Sequence, residues 1–148
     1  MTSPRIHHGD WVVVCDGAKA LVLQNAGDGA ALNLKTREVY QQDDPKSSEL
    51  GTDAPGRAMS SVGPGRSAIE ETDLHDLAER EFLVRLAGRL DAAAAKGDIA
   101  ALVLVAPPRA LGVLRETYSA PLRKALKGEI EKDYVNLPID QIERRLTV

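Results

Sequence analysis

A single cysteine, Cys15, stands among the 148 residues, so no intrachain disulfide can form and stability has to come from a packed core. Aromatic side chains are nearly as scarce: one Trp, one Phe and three Tyr make up 3% of the chain, which leaves few platforms for stacking nucleic-acid bases. Neither sign of charge dominates. The formal net charge of -3 excludes the strongly basic footprint of a nonspecific nucleic-acid binder, although acids outnumber bases over residues 1–100 and bases outnumber acids thereafter. No apolar run approaches the ~20 residues of a membrane-spanning helix. The first residues, with His7, His8 and Asp10, lack the apolar centre of a secretory signal, so a cytoplasmic location without membrane contact is expected. What remains is ordinary globular material, 43% hydrophobic and 28% charged, of a length that suits a single domain covering 1–148.

The apolar pattern starts with strands. Trp11 to Cys15 is short, valine-rich and closed by Asp16-Gly17, a pair whose tolerance of positive φ suits a tight hairpin. A second run, 20–24, ends at Gly27-Asp28-Gly29, and a third segment from Ala31 alternates through Leu32, Leu34 and Thr36 to Val39 and Tyr40. These predict a three-stranded antiparallel meander. Residues 41–65 then turn to Asp, Ser, Pro and Gly with hardly a large apolar side chain, and predict a long loop of the kind that often carries function. A helix is predicted over 68–95, with Leu74, Ala78, Phe82, Leu86 and Leu90 as its core row and Gly97 as its stop. Continuous apolar residues at 99–105 predict a strand covered on both faces, at the centre of the sheet. Pro107-Pro108 introduces a helix with Leu111 and Leu114, a short helical piece after Pro121 ends near Gly128, and 130–135 reads as a fifth strand. A last helix opens at Pro138, with Ile139, Ile142 and Leu146 on one face. The order βββαβαβα predicts an α/β fold with a ribonuclease H-like mixed sheet; a Rossmann-like sheet is the alternative.

The densest local motif is Gly63-Pro64-Gly65-Arg66-Ser67-Ala68, directly before the long helix. Backbone N–H groups and the helix dipole attract anions there, which makes Gly63, Gly65, Arg66 and Ser67 the leading candidates for an anion-binding loop. The plainer reading is a Pro-Gly turn with Ser67 as helix cap and Arg66 in solvent. The letters also fit G-x-G-x-x-A, but no strand leads into them, and no Walker A lysine is present, so neither a dinucleotide nor another small-molecule cofactor is expected. Arg57, in a second Pro-Gly-Arg, and Arg109, after the fourth strand, are secondary binding candidates. His75 joins them with Glu79 one helical turn away, although a boundary role within the helix suits it better than ligation.

A two-metal nuclease would gather carboxylates from the first strand, the first helix and the next strand. Asp16, Glu70 and Glu71 supply part of such a set, but Ala106-Pro107-Pro108-Arg109 offers no acid at the strand end, so no metal site is predicted. Cys15 ends an apolar strand with no neighbouring histidine and reads as a structural thiol. No catalytic residue is assigned.

Three strings in order carry a resemblance: Trp-Val-Val-Val-Cys-Asp-Gly-Ala-Lys-Ala at Trp11 to Ala20, Gly-Pro-Gly-Arg-Ser-Ala at Gly63 to Ala68, and Ala-Pro-Pro-Arg-Ala-Leu-Gly at Ala106 to Gly112. Together with the segment from Asp73 to Phe82 and Lys132-Asp133, they resemble the bacterial host-attachment protein family over nearly the whole chain. That family is similar in turn to the middle domain of archaeal and eukaryotic peptide chain release factors, where a Gly-Gly-Gln loop precedes a long helix. Arg66 stands at the glutamine position here. The resemblance implies a non-catalytic binding protein, associated with the ribosome, RNA or an acidic protein surface. The alternative is a release-factor-like hydrolase of an RNA-linked ester, and a surface adhesin comes third because no signal or anchor is read.

Overall fold

The computed structural model describes residues 4–42 and 68–147, with side chains of the first helix described from Asp73 onward. Arg57, Gly63, Gly65, Arg66 and Ser67, with nearly all of the 41–65 loop, lie outside the described residues, as do the side chains of Glu70 and Glu71. The elements run β1 (Trp11–Cys15), β2 (Lys19–Asn25), β3 (Leu34–Gln41), α1 (Ala68–Lys96), β4 (Leu102–Ala106), α2 (Pro108–Thr117), α3 (Ala120–Ala125), β5 (Leu126–Glu131) and α4 (Ile139–Leu146). They form a mixed α/β structure around one open five-stranded sheet of order β3-β2-β1-β4-β5. β2 pairs antiparallel with β1 and β3, while β1, β4 and β5 are joined by parallel pairings.

Side chains alternate across a strand, so each strand feeds two cores. Val13, Cys15, Val22, Leu102 and Leu104 pack under α1, α2 and α3; Val12, Val14, Leu21, Leu23, Val103 and Val105 pack under α4 with Ile6 and Val135. β1 is the central strand and β4 lies beside it, a correction to the expectation that the fourth strand holds the centre. All five residues of β4 are buried, which is why it reads as an unbroken apolar run.

Other boundaries move for local reasons. β3 starts at Leu34 rather than Ala31, because Asp28 Oδ1 accepts the N–H groups of Ala30 (2.9 Å) and Ala31 (2.8 Å) in a turn, and Asn33 N–H goes to Asn25 Oδ1 (3.0 Å). Those backbone bonds hold the Asp28 carboxyl below the usual range. Asn25 is fully buried and also donates from Nδ2 to the carbonyls of Ile6, His7 and Asp28, so one side chain pins the amino-terminal segment to the β2–β3 turn. The fifth strand is Leu126–Glu131, not 130–135, and Gly128 lies inside it. As an edge strand of mixed burial, β5 tolerates Lys127, Glu129 and Glu131 and so shows no apolar run.

α1 divides in two. Phe82, Leu83, Leu86, Ala87 and Leu90 are buried on the sheet, and Gly97 at φ +86° closes the helix as expected. Leu74 and Leu77, however, are 53% and 52% exposed. The expected core row therefore begins at Phe82, not Leu74. Steps of four residues drift by about 40° each, so Leu74 has left the face that buries Leu86 and Leu77 points away from the sheet. On the sheet side the first turns carry His75, Asp76 and Glu79, where α1 outreaches the short strands and overhangs them.

Candidate functional site

Where the overhang begins, the carboxyl ends of parallel β1 and β4 open beside α1. The chain leaves β1 into the β2 hairpin and leaves β4 into α2, and the divergence creates a cleft of about 450 Å³ lined by Asp16, Gly17, Asp76, Glu79, Arg80 and Arg109 among others. Crevices at strand carboxyl ends are where open α/β sheets usually take ligands.

Each wall has a local cause. Asp16 Oδ1 accepts the N–H groups of Ala18 (2.8 Å) and Lys19 (2.9 Å), closing the hairpin, while Gln42 N–H bonds Ala18 O (2.7 Å) from the end of β3. Gly17 does not have positive φ, contrary to the expectation from Asp-Gly. It is small because α1 comes close: a Cβ there would lie 2.8 Å from Glu79 Cγ and 3.1 Å from Glu79 Cβ. Opposite, Pro108 opens α2 without a side-chain cap, and the next residue, Arg109, crosses the cleft mouth. Its Nη2 bonds Asp76 Oδ1 and its Nε lies 3.7 Å from Glu79 Oε1. Arg80 reaches Glu116 Oε1 at 3.0 Å, a second tie between α1 and α2.

Of the candidates read from the sequence, Arg109 lies in this cleft, paired with two carboxylates while most of its side chain stays exposed. His75 is exposed on the overhang and does not line the cleft; Glu79 turns to Arg109 instead. The acids that face Asp16 are Asp76 and Glu79. The acids weighed from the sequence for a nuclease set were Glu70 and Glu71, near the helix start; the signal for Asp76 and Glu79 was the helix length, which puts the sheet's end at the third and fourth turns. Among the described residues no group of three His, Cys, Asp or Glu is placed to hold a metal ion.

Behind Asp16, Cys15 is fully buried, and burial, with the nearby Asp16 charge, pushes its thiol up to about 12. Tyr118 is raised for the same leading reason and by the Glu129 carboxylate, which its hydroxyl meets at 3.2 Å while Arg115 holds Glu129 from outside at 2.6 Å. On β3, Arg89 of α1 stacks on Tyr40, 4.7 Å from the ring centre.

Residues 11–146 match the family described as "Protein required for attachment to host cells". The chain belongs to this family. The matched span runs from the first residue of β1 to the last of α4, so every element of the host-attachment chain lies within it. Comparison with curated proteins gave no match. Among the described residues of this host-attachment protein, no helix is long and apolar enough to cross a membrane.

Proposed function

We propose that this host-attachment protein is a cytoplasmic, non-catalytic binding protein that associates with ribosomes or RNA, built on a ribonuclease H-like sheet. The strand order β3-β2-β1-β4-β5 with β2 alone running against the others supports that classification. The observation that carries the non-catalytic reading is that the three acids lining the cleft among the described residues are engaged: Asp16 by two backbone N–H groups of its own hairpin, Asp76 and Glu79 by Arg109. In a metal-dependent nuclease those carboxylates would carry cations; here Arg109 pairs with two of them at the cleft mouth.

The ribosomal part rests on the resemblance to release factors. In the sequence, Gly63, Gly65, Arg66 and Ser67 precede this long helix as the Gly-Gly-Gln loop precedes one in release factors. Arg66 at the glutamine position favours phosphate contact over ester hydrolysis.

Co-sedimentation of the purified protein with bacterial ribosomes at low and moderate salt tests this. Salt-sensitive binding that is lost in Arg66→Ala and kept in Arg109→Ala is the expected result. No binding at either salt would remove the ribosomal reading, and turnover of a peptidyl-tRNA ester in the same samples would remove the non-catalytic one.

A further inference from the structure

Another groove runs between α1 and the edge strand β3. It consists of two hollows of about 350 and 400 Å³ that share Tyr40 and Arg89. Arg85, one helical turn before Arg89, stands in the first hollow, and Arg37 of β3 stands in the second. Arg37 is there because of a bulge: Thr36 pairs with Leu23 and Glu38 with Val22, so Arg37 is the extra residue of β3. Its Nε donates to Gln24 Oε1 at 3.1 Å, next to Trp11 on the sheet face beneath α1.

The acids of α1 leave this flank to the arginines. Asp91 turns to the opposite side, where it accepts the Ser119 N–H at 3.2 Å, and Glu81, one turn before Arg85, is exposed and lines neither hollow. The two carboxylates that do line the groove are both in the second hollow: Glu38, which accepts the Tyr40 hydroxyl, and Asp98. Among the described residues none of the three guanidinium groups forms a salt bridge, whereas Arg80, Arg109 and Arg115 each do. Of the chain's five aromatic residues, Trp11, Tyr40 and Tyr134 are part-exposed, and two of those three lie here. The rarest side chains of the sequence therefore sit beside its unpaired arginines.

We propose that this groove binds a single strand of RNA, with phosphates on Arg85, Arg89 and Arg37 and bases against Tyr40 and Trp11; this rests on the RNA association argued above and gives it a site. Arginine rather than lysine at all three places favours phosphate, which the planar guanidinium grips with two bonds. Arg89 already lies on the Tyr40 ring and offers its own plane to a base. A duplex keeps its base faces within the stack, so the rings select an unpaired strand. An acidic peptide would meet the guanidinium groups but make no use of the rings.

Fluorescence anisotropy of a labelled single-stranded oligoribonucleotide, titrated with the full chain over a salt series, tests the site. Arg85→Gln, Arg89→Gln and Arg37→Gln are each expected to raise Kd about tenfold and to flatten the slope of log K against log salt by about 0.7. Lys124→Gln, on α3 and outside the groove, removes the same charge and should leave both unchanged. Glu38→Gln takes a carboxylate out of the groove and should tighten binding several-fold, a gain that misfolding cannot produce. A wild type that binds ribosomes but not the oligoribonucleotide, or RNA binding that survives all three arginine variants, overturns the groove and leaves the ribosomal reading standing. A wild type that binds neither overturns both. Polyglutamate that displaces the RNA at equal charge concentration overturns the choice of partner.

Discussion

The two halves of α1 share one helix, similar intrinsic propensities and continuous backbone hydrogen bonding, yet from Phe82 onward the helix is anchored in the core and before it the apolar side chains face water. The difference teaches that an apolar residue on a helix is core only where its face meets the sheet and the sheet extends beneath it. Leu74 and Leu86 are twelve residues and about 120° of helix apart, so burial follows the face first, and on the sheet-facing side it follows the length of β1 and β4, each five residues. Function follows the same line, because the cleft opens where support ends.

The largest effect that would sharpen this boundary is chemical. Cys15 lies just behind the cleft wall but belongs to the core. With its pKa moved from 9.0 to about 12, its native thiolate fraction at neutral pH is on the order of a thousandfold below that of a free thiol. Iodoacetamide labelling of folded protein should be slowed accordingly, and rapid labelling would break the assignment. The same shift has a pH consequence: a group protonated more tightly when folded stabilises below its unfolded pKa, so that contribution fades as pH rises from about 9 towards 12.

Next in size is Leu86→Ala, expected to cost about 2–5 kcal/mol in urea unfolding because a fully enclosed side chain leaves a cavity. At the junction, Gly17→Ala should cost about 1–3 kcal/mol by forcing the hairpin off Glu79, and Glu79→Ala in the same chain should recover much of it. Arg109→Ala should cost no more than about 1 kcal/mol, with the loss shrinking as salt rises, since 66% of that side chain is exposed. Leu77→Ala should stay within about 0.5 kcal/mol in the same assay, since that side chain is half exposed. Equal costs at Leu77 and Leu86 would erase the division of the helix.

Much of this was legible from the residues. β1, the meander, the long helix with its Gly97 stop, and α4 opening at Pro138 all followed from periodicity and punctuation, because local backbone preference and global packing agree there. β5 was displaced because an edge strand of mixed burial need not be apolar, and Gly128 looked like a helix stop. Gly17 was read correctly as part of a turn but for the wrong reason: its constraint comes from a helix 62 positions further on, at Glu79, not from its own φ.

The site divides the same way. Arg109 was singled out from its place after Pro107-Pro108, yet its carboxylate partners were not, since Asp76 and Glu79 are 33 and 30 positions away in sequence. By itself the sequence determined the family, the succession of elements and the chemical character of each segment, because these depend on residue type and short-range spacing. Only the tertiary structure decided that β1 is central, that α1 overhangs the sheet, and that Asp16, Asp76, Glu79 and Arg109 share one cleft. Those are set by strand pairing and helix length against sheet length, distances between groups that lie far apart along the chain and that no local pattern encodes.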